Sequence, residues 1–571
     1  MAESKPFELD HDQKVAATAK GSALVVAGPG AGKTRVLIGR TIHLLENDIP
    51  PEKIFLLTFT VKAREELRER LKEFGVSGIK VETFHALSYD LIYEATGKPP
   101  RLIPEGETEA LCRKLLKKHG LRLSPRRTLE KIYAGEEELS SLRREYFEYL
   151  EKNNLFDYYR LLSSAKEFVK KDFSEYHLLI DECQDLSPEI LDFLKIFSGA
   201  KFFLVGDPAQ AIYGFRGAHP EKLKAFLKEF LPDLKVLALR KSYRVPERLL
   251  RVAEGLREDP FGLKLSLEAV KPGGEIKGFR FPSEKSEAIG VAKKTARLLG
   301  GVYLESSRRS HLSPGDILVL ARLKALLPPI KEALLKEGIP VSEPEEAAER
   351  EKEKLKELSS GLLSGSISME EAWKELSQLS PNLKSLLEEP QMERERLAAR
   401  LSFLSTADLI SASREGVNLL TVHGAKGLES EAVILSGAEE GIFPLTVFPD
   451  TDPAEEKRLL YVALTRAKRT FLFTLSRARS LFGKRLSGKL NPWLKGLPLE
   501  EEKPPPRRPV QKALFALLFL ILFLFSVSAR AESLSEVLRA WTPLLMKKHP
   551  ALSALSARIR AKEKRIALII S

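Results

Sequence analysis

Over the first 95 residues, unbroken apolar runs alternate with stretches whose apolar residues recur at helical spacing. Ala23-Leu24-Val25-Val26-Ala27 is a continuous apolar run that ends at a Gly-rich turn, and Thr34 to Leu45 then repeats apolar residues with a helical period. Lys53 to Phe59 reads as a second buried strand, and the charged segment from Val61 to Phe74 as the helix after it. Strand–helix alternation of this kind predicts an α/β fold with a parallel sheet covered by helices. The runs at His177 to Ile180 and Lys201 to Val205 continue the sheet.

Between them the strand signal stops. Residues 96–171 are helical in pattern and rich in Lys, Arg, Glu and Tyr, which predicts a helical insertion into a first α/β domain made of 1–95 and 172–240. A second α/β region begins near Leu237, with the domain boundary drawn at 241, and includes Ile317-Leu318-Val319-Leu320. It is interrupted at 343–406 by a shorter charged helical stretch and resumes over 407–495 through Val417 to Val422 and Ala432 to Ser436. The charged runs Lys62 to Lys72 and Glu343 to Leu358 read as solvated helix faces.

After Pro492 the pattern changes. Residues 496–511 form a Pro/Arg-rich linker. Ala513 to Val527 is apolar apart from Ser526, and as a helix its 15 residues would span about 22 Å, short of the roughly 30 Å hydrocarbon core. Preceding basic residues and a following Ala529-Arg530-Ala531 make 512–531 look like a secretory signal peptide at the wrong end of the protein. Residues 532–571, a helical tail, resemble the start of a mature outer-membrane efflux protein of the TolC type. Two readings of this tail stay open, a downstream reading frame joined to this one and a genuine membrane anchor. The expected location is cytoplasmic, with membrane association only if the tail is genuine.

Composition adds modest constraints. At 43% hydrophobic and 30% charged residues the 571-residue chain is globular in type, and its net charge is +13. From Glu501 onward there are 13 Lys/Arg against 5 Asp/Glu, so the body is only mildly basic and charge alone does not establish a polyanionic partner. Two cysteines, Cys112 and Cys183, exclude a disulfide framework and a four-thiolate zinc site.

Chemistry enters at the first turn. Ala27-Gly28-Pro29-Gly30-Ala31-Gly32-Lys33-Thr34 lies between a strand and a helix, as a phosphate-binding loop must. Its small residues let backbone N–H groups close around phosphate, and the helix N-terminus adds its positive dipole end. Lys33 is expected to reach the β- and γ-phosphates of ATP and Thr34 to hold Mg2+. Leu178-Leu179-Ile180-Asp181-Glu182 is an apolar strand that ends in two acids. Asp181 is the expected metal residue and Glu182 the base that activates water.

The remaining motifs resemble superfamily 1 DNA helicases of the UvrD/PcrA/Rep type, in order from Pro6 to about Leu481. Phe7 to Gln13 resembles the adenine-reading Q motif, Leu57 to Ala63 and Thr83-Phe84-His85 the DNA-contacting motifs, and Asp181 to Asp185 the DExQD box. Val205 to Ala218 resembles GDxxQxIYxxRGA, Ser242-Tyr243-Arg244 the NYR segment, Thr421 to Glu429 TxHxxKGLE, and Tyr461 to Ala467 YVAxTRA. The resemblance implies two RecA-like domains, each with a helical insertion, the second reduced. It implies ATP binding by Gln13, Gly28, Gly30, Ala31, Gly32, Lys33, Thr34, Arg35, Tyr243 and Glu429, with Tyr243 stacking on adenine and Glu429 meeting the ribose. Catalysis falls to Lys33, Glu182, Gln210, Arg244 and Arg466, the two arginines acting from the second domain. Phe59, His85, Tyr213, Phe215 and Arg216 are the implied DNA contacts, aromatic rings stacking on bases whatever the sequence. His423 reads equally as a bridge between the two sites and as a core group, and Glu439 as structural.

The chain departs from that pattern where Val61 replaces a usual Asn and Ser430 a usual aromatic. The expected activity is an ATP-dependent helicase moving 3′-to-5′ on single-stranded DNA and at single-strand/duplex junctions, in repair, recombination or replication restart. The alternative is a translocase that strips bound proteins without processive unwinding. A third reading is a non-catalytic or membrane-tethered DNA-binding module, against which the intact Lys33, Glu182, Gln210 and Arg466 speak.

Overall fold

Continuous apolar runs need cover on both faces, and the strands they form lie in the middle of two parallel sheets. The computed structural model describes residues 8–502, apart from 135, 215–216, 259–260, 262–264, 301–311, 380–382, 384–391, 448–450 and 482. The first sheet comprises β1 (Ala23–Ala27), β2 (Ile54–Thr58), β3 (Lys80–Thr83), β4 (His177–Ile180), β5 (Lys201–Gly206) and β6 (Lys235–Leu239), in the order β3-β2-β4-β5-β1-β6. Alternate residues of each strand serve opposite faces. Leu24, Val26, Leu178 and Ile180 join one core; Val25, Leu179 and Val205 join the other. β6 contains Leu237 and pairs in parallel with β1, so the strand at Leu237 completes the first sheet instead of opening the second.

Two short strands, β7 (Lys241–Ser242) and β8 (Glu268–Ala269), form a separate parallel pair. The second large sheet holds β9 (Glu275–Phe281), β10 (Ile317–Ala321), β11 (Val341–Ser342), β12 (Val417–Thr421), β13 (Ser430–Ser436) and β14 (Ala467–Ser476). After the antiparallel pair β15 (Arg479–Leu481) and β16 (Lys484–Leu486), β17 (Leu499–Glu501) adds its edge, giving the order β11-β12-β10-β13-β14-β9-β17. All its pairings are parallel.

Helices interrupt both sheets. Glu105–Lys118, Pro125–Ala134, Ser140–Lys152 and Tyr158–Phe168 lie between β3 and β4, and the first three close over a small core around Cys112, Ile132 and Tyr146. Pro344–Ser364, Met369–Leu379, Arg394–Phe403 and Thr406–Leu409 lie between β11 and β12 and have their own core around Leu358, Leu376 and Leu397. That core also takes in Val61, the first residue of the helix after β2. An apolar residue suits that position here because it is covered by the second insertion.

The charged helices are less solvated than their composition implies. Arg64 is fully buried because Glu82 and Glu65 satisfy its guanidinium, and Glu345 turns its carboxylate inward onto Thr421. Residues 503–571, with the linker, the apolar run and the TolC-like segment, lie outside the described residues. Among the described residues no helix is long and apolar enough to cross a membrane.

Candidate active site

Because the first sheet is parallel, the loops after β1, β2, β3, β4 and β5 leave from one edge, the edge where open α/β sheets bind ligands. Gly28, Phe59, His85, Asp181 and Asp207 all follow strand ends there. The phosphate loop bends through Gly30 and Gly32, both in the left-handed region at φ 70° and 81°. Close approach also requires them: a Cβ on Gly30 would lie 2.5 Å from Cβ of Arg244, and one on Gly32 2.8 Å from Nε2 of Gln13. Gly32 caps the helix Lys33–Glu46, so Lys33 and Thr34 sit in its first turn, where the backbone N–H groups have no helical partner.

Lys33 Nζ donates to Glu182 Oε2 at 2.6 Å. Glu182 is left-handed at φ 49°, a conformation costing an L-residue about 1–2 kcal/mol, and Gln184 Nε2 also donates to its Oε2 at 2.5 Å. Burial alone would lower the Lys33 ammonium, but Glu182, Asp181 and Asp207 outweigh it and hold it above the ordinary lysine value. Burial would raise the Glu182 carboxyl, yet Lys33 and Lys426 hold it down, whereas burial and the neighbouring Glu182 push Asp181 up. The two adjacent acids thus differ in proton affinity because the charges of Lys33 and Lys426 stabilise the Glu182 carboxylate, whose own charge then adds to burial in raising Asp181.

Residues from the second sheet's half meet this edge directly. Arg466 is buried at the end of the helix Pro453–Thr465 and donates from Nη2 to Gln210 Oε1 at 3.2 Å. Gln210 Nε2 donates in turn to Asp207, which also accepts from Arg257 and from the Tyr461 hydroxyl at 2.8 Å. Arg244 Nη1 donates to Glu429, which Lys468 also pairs, while the Nε of Arg244 is buried and has no hydrogen-bond partner among the described residues. Such an orphaned guanidinium donor beside the phosphate loop suits an anion.

At the rim, Gln13 Nε2 donates to Ala31 O at 3.0 Å, and Asp10 caps the short helix His11–Ala17 that carries Gln13. The Tyr243 hydroxyl donates to Asp10 at 2.5 Å while the residue stays 40% exposed, enough to receive a flat ligand. Arg35 donates to Glu8 O at 2.7 Å and faces solvent.

The expected DNA residues are less uniform. Phe59 is half-buried, edge-on to Phe84 at 5.2 Å. His85 lies against Tyr158 and Phe403, with ring centroids at 5.4 and 6.0 Å. Burial drives its imidazole down to about 4, so at neutral pH it offers a neutral ring and not the charge a phosphate contact would draw on. Tyr213 is half-buried with Lys426 Nζ 4.5 Å from its ring centroid. Phe215 and Arg216 lie outside the described residues. Sequence reasoning assigned no role to Tyr158, Phe403, Asp207, Tyr461 or Lys426. Three of these stand inside quoted motifs; Tyr158 and Phe403 come from the two insertions and carry no local signal.

The family model of the UvrD/REP helicase N-terminal domain matches residues 9–101 and 99–231, and that of the UvrD-like helicase C-terminal domain matches 345–478. The ATP-dependent DNA helicase Rep of Buchnera aphidicola subsp. Acyrthosiphon pisum is 24% identical, over 87% of this chain and 99% of that protein. The ATP-dependent DNA helicase PcrA of Bacillus subtilis is 25% identical over 83% of each chain. The ATP-dependent DNA helicase UvrD2 of Mycobacterium bovis is 25% identical over 86% of this chain and 81% of its own. A phosphate loop alone would suit many ATPases, but here models of both domains match and Arg466 of the C-terminal match meets Gln210 of the N-terminal one, and the chain belongs to the UvrD/Rep/PcrA-type ATP-dependent DNA helicases.

Proposed function

We propose that this helicase moves 3′-to-5′ along single-stranded DNA and opens single-strand/duplex junctions in repair, recombination or replication restart. The observation that carries the reading is the contact of Arg466 with Gln210, which joins the second domain to the edge holding Lys33 and Glu182. In this reading ATP binds across the cleft. Lys33 and the backbone of Gly28, Gly30, Ala31 and Gly32 cradle its phosphates, Gln13 and Tyr243 receive adenine, Arg35 lines the rim, and Glu429 meets the ribose.

Thr34 and Asp181 would hold a magnesium ion that neutralises phosphate charge. Magnesium is commonly bound by one or two protein groups plus phosphates, so one hydroxyl and one buried carboxylate suit it. Glu182, kept ionised by Lys33, takes the proton of the attacking water. Arg244 and Arg466 stabilise the charge that develops on the transferred phosphoryl group, and Gln210 relays its loss to Asp207 and Tyr461. Arginines and lysine stand on different domains, so nucleotide draws the cleft together and hydrolysis releases it. Phe59, Tyr213 and Phe215 grip bases, and His85 and Arg216 complete the expected DNA contacts.

A second reading, translocation that displaces proteins without processive unwinding, is favoured by the short second insertion. Its Arg400 is clamped on Glu82 of the first domain at 2.7 and 3.2 Å. Strand displacement on duplexes tailed at 3′ or 5′, using the chain with and without residues 504–571, tests both. Unwinding of the 3′-tailed substrate alone supports the first reading. Protein displacement without strand separation supports the second, and unwinding of the 5′-tailed substrate alone refutes the polarity.

A further inference from the structure

Lys426 stands on the loop after β12, in the second domain, yet three first-domain groups surround its ammonium. Nζ donates to Asp185 Oδ2 at 2.5 Å and to Gln210 O at 2.9 Å, and lies 4.5 Å from the centre of the Tyr213 ring. The side chains of Lys426 and Asp185 are 9% and 5% exposed, so little water screens the pair.

The neighbourhood is built to hold that position. Glu345 accepts from Thr421 N at 2.8 Å and from its hydroxyl at 2.6 Å, which fixes the start of the loop. A Cβ on Gly424 would lie 2.1 Å from the same carboxylate, so the loop passes Glu345 as closely as it does only because residue 424 is glycine. On the other side, Asp185 donates its backbone N–H to Glu182 O at 2.9 Å. Its Oδ1 is buried without a hydrogen-bond partner among the described residues, so the carboxylate leans on Lys426 for compensation. Gln210, the second acceptor, is the residue whose side chain meets Arg466.

One ammonium therefore touches the segment carrying Glu182, the segment carrying Gln210, and an aromatic ring on the expected DNA side. We propose that Lys426 is a positioning residue that couples single-stranded DNA at Tyr213 to the hydrolytic groups Glu182 and Gln210. The proposal rests on the reading of Tyr213 as a base-stacking residue. A base stacked on Tyr213 fixes the ring, and the fixed ring holds the ammonium against Asp185 and Gln210. Without a stacked base the cation–π contact is weaker, and the ammonium holds Asp185 and Gln210 less firmly.

The test compares ATP turnover with and without saturating oligo(dT), in Lys426→Met, Lys426→Arg, Tyr213→Ala, Asp185→Asn and the Lys426→Met/Tyr213→Ala pair. Affinities for a fluorescent ATP analogue and for oligo(dT) are measured alongside. Lys426→Met is expected to cut the stimulation ratio about ten-fold, within the range for coupled neighbours, with ATP-analogue affinity changed less than about three-fold. Lys426→Arg restores part of the ratio by keeping a cation at Asp185. The double variant is no worse than the poorer single one. Asp185→Asn reaches the same phenotype from the other partner, so a poorly folding Lys426→Met does not end the test.

Loss of basal and stimulated turnover by one common factor overturns the proposal, since that is what a structural role does. Independent, multiplying losses in the double variant overturn it too. If Tyr213→Ala changes neither oligo(dT) affinity nor stimulation, the failure lies in the DNA reading of Tyr213, and the coupling falls with it.

Discussion

Arg466 Nη2 lies 3.2 Å from Gln210 Oε1, so a buried guanidinium of one domain rests on a carboxamide of the other. Burial, then the nearby Arg244, lowers Arg466 to about 9. Glu429 pairs Arg244, while Arg466 rests on neutral acceptors, Gln210 Oε1 and the carbonyls of Val462 and Leu428. Replacing Arg466 with Ala is expected to cut DNA-stimulated turnover about 10³-fold, the low end for arginines that stabilise a transferring phosphoryl group. Because the substitution also removes hydrogen bonds to Gln210, Val462 O and Leu428 O, the thermal readout is the rise in Tm on adding a non-hydrolysable ATP analogue, which should shrink. Normal turnover in this variant would remove Arg466 from the catalytic set.

Glu182 and Lys33 share one hydrogen bond but should separate in function. With Glu182→Gln the amide cannot take a proton, and turnover should fall by about 10²–10⁴, the range for a lost general base. Binding of a fluorescent ATP analogue persists because the phosphate loop is untouched. Lys33→Ala should lose turnover and weaken binding together. Equilibrium titration beside steady-state hydrolysis distinguishes the two, and unaltered hydrolysis in both would refute the assignment.

The strands legible in advance are those whose apolar residues run together, β1, β4 and β10 among them. β9 and β14 carry Lys277 and Lys468 within their spans, and β3 has Val81 as its one apolar residue, so none of these shows a clean pattern. Within the site, residues near a strand end or helix start were legible because their local geometry recurs. The contacts of Tyr461 with Asp207 and of Lys426 with Asp185 span 254 and 241 residues and exist only once the two sheets face each other. The buried state of Arg64 was hidden for the same reason: its partner Glu82 lies on a different element, and an arginine on a charged helix reads as solvated until that pairing is seen.

Adenine selection should reside in Gln13 and Tyr243. Gln13 is oriented by Asp10 and by Ala31 O, so its amide is already fixed beside the phosphate loop. Tyr243→Ala is expected to raise KM for ATP about ten-fold, equivalent to the roughly 1–3 kcal/mol of one base–aromatic stack. Tyr243→Phe should lie near wild type, since it keeps the ring and loses only the hydrogen bond to Asp10. Gln13→Ala should narrow the preference for ATP over GTP, read from the ratio of kcat/KM values. An unchanged ratio would exclude Gln13 as the reader.

Glu82 joins the second insertion to the first domain. Arg400 binds both its oxygens, and Arg64 and Arg68 add further bonds. Burial alone would raise the Glu82 carboxyl, but Arg400 and Arg64 outweigh it and hold it down to about 2. A carboxylate depressed on folding stabilises the protein above its unfolded value of roughly 4.3, and that contribution fades as pH falls through the folded value. Glu82→Gln leaves Arg400 and Arg64 buried without their shared anion, at a cost of about 3–5 kcal/mol for breaking a buried pair from one side. Trp373, packed against the core of the second insertion, reports the change locally. Urea unfolding followed by Trp373 fluorescence, with Trp493 and Trp541 replaced by Phe, should show Glu82→Gln well below its parent at pH 7. The two should converge as pH drops from about 4.3 toward 2. A constant difference across that window would mean that Glu82 contributes through packing and not through its charge.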